Sequence, residues 1–169
     1  MFALLIYRGM PIEFRNITAA DDQPLAALIR KVLDEFRIPR TGTVYSEPTT
    51  DRLSVLFEAA GAVYMVAEED GILLGGCGIY PTPGLPEGCA ELVKLYLTDA
   101  SRGKGIGRQL MDKCFTAARQ LGYTQLYLES FPQLDKAVSM YIRSGFEHLD
   151  KPMGNSGHHA CTIWMLKAL

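Results

Sequence analysis

The sequence predicts a single α/β domain, built as one mixed β-sheet of about six to seven strands with about four helices on its faces. Three observations carry that expectation. Strand-like runs and helical stripes follow one another in the order strand, two helices, three strands, helix, strand, helix, two strands. Strands joined directly towards both ends of the chain imply hairpins, whereas single helices separate the central strands. The length of 169 residues, with 48% apolar and 21% charged side chains, suits one core that buries about two-thirds of the unfolded surface.

Each element has its own signal. PIEFRNI sets Ile12, Phe14 and Ile17 loosely against polar residues and reads as a strand. A helix follows with Asp21 as its N-cap, because Pro24 is tolerated only in a first turn; Leu25, Leu28, Ile29, Val32, Leu33 and Phe36 then recur at three and four. RIPRTGTVYSEPTTD is a long loop of the kind that carries function. A second helix from about Thr50 places Leu53, Leu56, Phe57 and Ala60 on one face. AVYMVAEEDGILLGGCGIY reads as two strands joined at Asp70-Gly71, since a type I′ turn needs positive φ at both positions. After the loop PTPGLPEG, AELVKLYLT is longer and more continuously apolar, which suits the centre of a sheet.

The next helix lines up Ile106, Leu110, Cys114, Ala117 or Ala118, and Leu121, and closes at Gly122. YTQLYLESF is a strand, and QLDKAVSMYIRSG is a helix with Leu134, Ala137, Val138 and Tyr141 in one stripe, closed by Gly145. FEHLDK and HACTIWMLKAL end the chain as strands around the polar loop PMGNSGH.

Composition excludes several classes of function. A net charge of −2 lacks the basic surplus of nucleic-acid binders. Cys77, Cys89, Cys114 and Cys161 form no C-x-x-C pair, so reduced thiols in a cytoplasmic protein fit best. The apolar run in MFALLIYRGM is too short for a signal peptide or a membrane span. It reads as an extra strand or as an extension from an upstream start, the second fitting better, so that the domain covers residues 10–169 and residues 1–9 precede it.

The segment RGKGIG stands between a strand and a helix. The first N–H groups of a helix lack internal partners and form an anion site when no side chain blocks the approach. Gly103, Gly105 and Gly107 clear that approach while Arg102, Lys104 and Arg108 add positive charge, which together describe a pyrophosphate cradle. A Walker loop is excluded because no glycine is followed by Lys and then Ser or Thr; a Rossmann fingerprint is excluded because Arg108 stands where its last glycine belongs. What remains is Arg/Gln-x-x-Gly-x-Gly/Ala, met by Arg102, Gly105 and Gly107.

With AELVKLYLTDASRGKGIGRQLM ahead of KAVSMYIRSGFE, the chain from Met10 onward resembles the GNAT superfamily of acyl-CoA-dependent N-acetyltransferases. The resemblance implies a largely antiparallel sheet, acetyl-CoA as co-substrate, and a cofactor site made by Leu95, Tyr96 and Leu97 beside the pantetheine and by the backbone of Arg102, Gly103, Lys104, Gly105, Ile106, Gly107 and Arg108 around the pyrophosphate. It places the Leu95 N–H against the thioester carbonyl, Tyr141 as general acid and Glu91 as the base through a water, with Glu129 the rival base and Glu68, Glu69 and Glu87 less well placed. Asp135 departs from the family's common asparagine.

His158, His159 and Cys161 alternate without a second ligand cluster, so no metal is expected; Tyr45, Glu129 and His158 are candidates for the substrate rim. The implied activity is acetyl transfer to a primary amine of a small molecule or amino acid by direct attack. A protein or peptide amine, or a non-catalytic acyl-CoA-binding module, is the alternative. No nucleic-acid or membrane partner is expected, and a homodimer is compatible with the sequence.

Overall fold

The computed structural model describes residues 11–169, so the expectation for residues 1–9 lies outside the described residues. Seven strands form one sheet: β1 (Glu13–Asn16), β2 (Val63–Glu69), β3 (Ile72–Tyr80), β4 (Cys89–Leu97), β5 (Gln125–Ser130), β6 (Glu147–Leu149) and β7 (Ile163–Ala168). Their spatial order is β1-β2-β3-β4-β5-β7-β6. Every pairing is antiparallel except β4 with β5. Four helices, α1 (Asp22–Glu35), α2 (Leu53–Leu56), α3 (Ile106–Gln120) and α4 (Asp135–Arg143), complete the mixed fold.

The helices divide between the two faces because each presents one apolar stripe. Leu25, Ile29 and Leu33 of α1 and Leu53 of α2 bury themselves with Tyr64, Val66 and Phe131 on one face. Ile106, Leu110, Cys114 and Ala118 of α3 and Tyr141 of α4 bury themselves with Cys77, Ile79, Leu92 and Leu126 on the other. Asp70 and Gly71 have φ of 52° and 75°, as the turn between β2 and β3 requires. Gly122 and Gly145, at φ 87° and 89°, end α3 and α4.

Three local expectations need correction. Asp21 stands at the N-cap of α1, but its carboxylate accepts from Thr18 and from Arg15 at 2.7 and 2.9 Å instead of capping the helix. The second helix is a single turn preceded by a 3₁₀ segment, Pro48–Arg52; Leu53 and Phe57 are buried, but Ala60 is exposed. A segment this short is held by packing and not by helix propagation. Leu121 is exposed, because α3 ends before its stripe comes round again.

The decisive irregularity lies in β4. The register runs Gly78↔Val93 and then Gly76↔Tyr96, so Lys94 and Leu95 together face Cys77 without a register partner in β3. Such a bulge adds one residue to one strand and reverses the face of every side chain beyond it. Leu92 accordingly packs on the α3 side and Val93 on the α1 side, while Leu95 and Leu97 return to the α3 side and Tyr96 to the α1 side.

Lys94 takes φ 52°, a strained region for a residue with a Cβ, and its carbonyl accepts a 2.8 Å hydrogen bond from the Tyr64 hydroxyl. The Tyr64 ring fits because its neighbours on β3 have no side chains: a Cβ on Gly76 would lie 2.4 Å from Tyr64 Cε1, and one on Gly78 would lie 2.6 Å from Tyr64 Cδ2. Gly76→Ala should therefore lower stability by about 1–3 kcal/mol through overpacking, read as a lower urea midpoint. An unchanged midpoint would show that Tyr64 has room to move.

Candidate active site

The parallel pairing of β4 with β5 ends at Glu91↔Tyr127, although β4 continues to Leu97 and β5 to Ser130. The strands part there, and a cleft of about 60 Å³ opens between them. Its walls include Glu91, Lys94, Leu95 and Tyr96 from β4, Glu129 and Ser130 from β5, Tyr141 from α4, and His158 and Cys161 from the segment before β7.

Below the outer end of β4 lies the glycine loop. Gly105 is the N-cap of α3 at φ 77°, Gly103 has φ 74°, and a Cβ on either would meet nothing within 4 Å. The first bond of the helix runs from the Gln109 N–H to the Gly105 carbonyl, which leaves the earlier N–H groups as donors at the positive end of the dipole. Gly107 has a different reason for being glycine: a Cβ there would stand 3.1 Å from Leu97 Cδ1, so its bareness lets α3 approach β4.

The basic side chains are not alike. Arg102 is turned back onto α1, paired with both Glu35 oxygens at 2.6 and 2.8 Å and stacked over Phe36. Arg108 pairs with Asp112 one turn on, and Lys104 is exposed without an ion-pair partner among the described residues. Ile106 is buried, so only its backbone is available to an anion.

At the inner end of the cleft Glu91 is 3% exposed and accepts a short hydrogen bond from the Thr82 hydroxyl. Burial, reinforced by the Glu129 charge and opposed by the Thr82 bond, pushes its carboxyl up to about 7. Glu129 accepts from the Tyr127 hydroxyl at 2.7 Å and the Ser156 hydroxyl at 2.8 Å. One atom each from Glu91, Glu129 and His158 lies within 4.8 Å of the others. Tyr141 is buried on the opposite wall, and burial raises its phenol well above the ordinary value. No described residue is a hydrogen-bond partner of its hydroxyl, and no buried side-chain polar atom among the described residues is left unpaired, so that oxygen is accessible at the cleft that Tyr141 lines.

The sequence reading missed two site residues. Lys94, with its side chain 5% exposed, donates to Glu47 at 3.1 Å, and His158 Nε2 donates to the other Glu47 oxygen at 2.7 Å. Burial favours protonation of Glu47, but the His158 bond and the Lys94 charge outweigh it and hold the carboxyl at about 2. A lysine inside the apolar run LVKLYL was the available signal; nothing local marks Glu47. Tyr45 is a correction: its hydroxyl donates to Asp34 and its ring carries the Arg40 guanidinium at 4.7 Å, while Thr43 and Val44 of its loop line the cleft instead. His159 is exposed beside the half-buried His158, and Asp135 accepts from the Lys136 N–H at the start of α4.

A model of the acetyltransferase (GNAT) family matches residues 27–146, which include the glycine cradle and the parts of the cleft wall contributed by β4, β5 and α4. The chain belongs to the GNAT acetyltransferase family. It is 35% identical, over 92% of its length and 93% of the relative's, to the uncharacterized N-acetyltransferase YjgM of Escherichia coli (strain K12). It is 26% identical to the IAA acetyltransferase of Azospirillum brasilense, over 91% of this chain and 99% of that one. An acetyltransferase of the GNAT family from Staphylococcus aureus Mu50 shares the fold at TM-score 0.82 and 18% identity, with 94% of this chain and 99% of that one covered. The PaiA N-acetyltransferase of Thermoplasma acidophilum, solved in complex with coenzyme A, does so at TM-score 0.70 and 20% identity, covering 95% and 100%.

This chain thus carries a buried carboxyl, Glu91, whose folded-state proton affinity exceeds its unfolded one. As pH rises from 4.5 through about 7, ionising Glu91 costs the folded state stability that it holds at lower pH. Glu91→Gln stays neutral, so it should be more stable than wild type by on the order of 3 kcal/mol at pH 8, with the difference vanishing towards pH 4. Thermal melts across that range check this, and a gap independent of pH would contradict it.

Proposed function

We propose that this protein is an acetyl-CoA-dependent N-acetyltransferase that acetylates the primary amine of a small cationic acceptor by direct attack in a ternary complex. One observation carries the proposal: β4 and β5 part beyond Glu91↔Tyr127, so a single cleft joins the outer strand of β4, near the glycine cradle, to the carboxylates at the inner end. Bare N–H donors around Gly105 fit a pyrophosphate, and the exposed Lys104 adds charge there. The free outer half of β4 fits the pantetheine amides, which pair with a strand much as a peptide does. Acetyl-CoA supplies the activated acyl group.

This chain's own residues do the rest. The Leu95 N–H, at a bulge position without a register partner in β3, donates to the thioester oxygen as charge develops on it. Glu91 takes one proton of the substrate ammonium through a water; the freed amine nitrogen bonds to the acyl carbon; as the carbon–sulfur bond breaks the Tyr141 hydroxyl protonates the departing thiolate, and the second proton shed by the nitrogen returns to the Tyr141 oxygen. A phenol held well above its ordinary pKa stays protonated until that step.

Covalent catalysis through cysteine is disfavoured, because burial raises Cys77, Cys89 and Cys161 and the carboxylates add to that effect at Cys161. The acceptor is cationic on this reading because Glu91 and Glu129 line the cleft while Lys94 is neutralised by Glu47.

Acetyl-CoA should raise the melting temperature, and a panel of alkylamines, diamines, amino acids and peptide amines assayed by thiol release should show turnover with small amines. Tyr141→Phe should lower kcat by about 100-fold or more with little change in acetyl-CoA affinity. A thermal shift without turnover on any amine would make the protein an acyl-CoA-binding module, and turnover on peptide amines alone would overturn the small acceptor. Wild-type activity in Tyr141→Phe would remove the phenol from the mechanism.

A further inference from the structure

Two carboxylates share the inner end of the cleft, and their surroundings differ in a way that assigns them different work. Glu129 is fully engaged as an acceptor: Oε1 receives the Tyr127 hydroxyl and Oε2 receives the Ser156 hydroxyl. Neither oxygen is left with a free donor role. Tyr127 is fixed in turn, being wholly buried, with its oxygen accepting the Met153 N–H at 3.1 Å. Glu91 is almost entirely buried and has one side-chain donor, Thr82. Carboxylate oxygens within 4.8 Å of each other disfavour double ionisation in a site with little water.

The pair therefore retains one proton over a wider pH range than an isolated carboxyl, and the hydrogen bonds decide where it sits. We propose that Glu129 is a positioning residue for the base: with both oxygens engaged as acceptors by Tyr127 and Ser156, it leaves the exchangeable proton of the pair to Glu91, the carboxyl that serves the acceptor amine. This rests on the acetyltransferase reading given above and separates the two glutamates that the sequence left as rivals. Above its midpoint Glu91 is a carboxylate whose proton affinity has been raised by a fixed neighbouring charge, which makes it a stronger base than a solvated glutamate.

The other groups around Glu91 do not reverse the assignment. Lys94 and Cys89 share its strand; the Lys94 ammonium lowers its proton affinity but is spent largely on Glu47. His158 faces it from the segment before β7 and also favours ionisation, but it too is held by Glu47. Tyr127 and Cys161, on β5 and beside β7, are kept neutral by burial. Glu129 is thus the neighbour that raises the proton affinity of Glu91.

The test is a titration of Glu91 by ¹³C-detected NMR of carboxyl-labelled protein, paired with the pH profile of kcat/KM. Glu129→Gln should move the Glu91 midpoint, and with it the acidic limb of the profile, to lower pH by roughly one unit. Ser156→Ala, which loosens one anchor of Glu129, should move it in the same direction by less, and it decides the matter if Glu129→Gln does not fold. A Glu91 midpoint that stays at its wild-type position in these variants overturns the proposal, as does a Glu129 carboxyl that titrates above Glu91 in wild type. The NMR readout needs no turnover. A shifted midpoint in a protein that acetylates no amine therefore upholds the pairing and removes only the acetyltransferase reading.

Discussion

The hydrogen bond from the Tyr64 hydroxyl to the Lys94 carbonyl is the contact on which the rest of the site depends. A regular β4 would keep pairing with β3 residue for residue, and Leu95 would turn its side chain to the α1 face. The extra residue prevents this. It sends Leu95 and Leu97 to the α3 face, where Leu97 meets the bare Gly107 at the start of the helix that bears the cradle. It also takes Lys94 and Leu95 out of the β3 ladder beside the point where β4 leaves β5. The strain of a lysine at positive φ is sustained because Tyr64, itself held by Phe57 at 4.9 Å between ring centres, occupies the space that Gly76 and Gly78 leave.

The same residue ties together the loops that flank the cleft. Lys94 reaches Glu47 in the loop after α1, and Glu47 reaches His158 in the segment before β7, so one chain of charges joins the bulge to the two loops that flank the cleft. The segment before β7 is tied down further by Ser156 on Glu129 and by the Asn155 N–H on the Pro83 carbonyl at 2.7 Å. The outer half of β4, the loop after α1, the segment before β7 and the carboxylate pair are in this way one connected piece.

Much of this fold was legible because its signals are local. Asp70-Gly71 announces a turn that demands positive φ, Gly122 and Gly145 announce helix ends, and the stripes of α1, α3 and α4 repeat at helical spacing. The glycine loop was legible for a similar reason, since Gly103 and Gly105 take conformations that few other residues accept. What stayed hidden depends on contacts between distant segments. Glu47 and His158 are 111 residues apart and Tyr64 and Lys94 are 30 apart, and no periodicity reports such pairs. Tyr45 and Arg102 resembled ligand contacts by type and position but are held by Arg40 and Glu35. Gly107 belonged to the motif, yet its purpose is packing.

The central claim is that the bulge at Lys94, held by Tyr64, shapes the strand proposed to receive acetyl-CoA. Calorimetric measurement of acetyl-CoA binding to Tyr64→Phe tests it most directly, because the change removes the hydroxyl and keeps the ring. Losing one hydrogen bond that holds a strained carbonyl should weaken binding roughly three- to tenfold in a folded protein. Wild-type affinity in that variant would contradict the account.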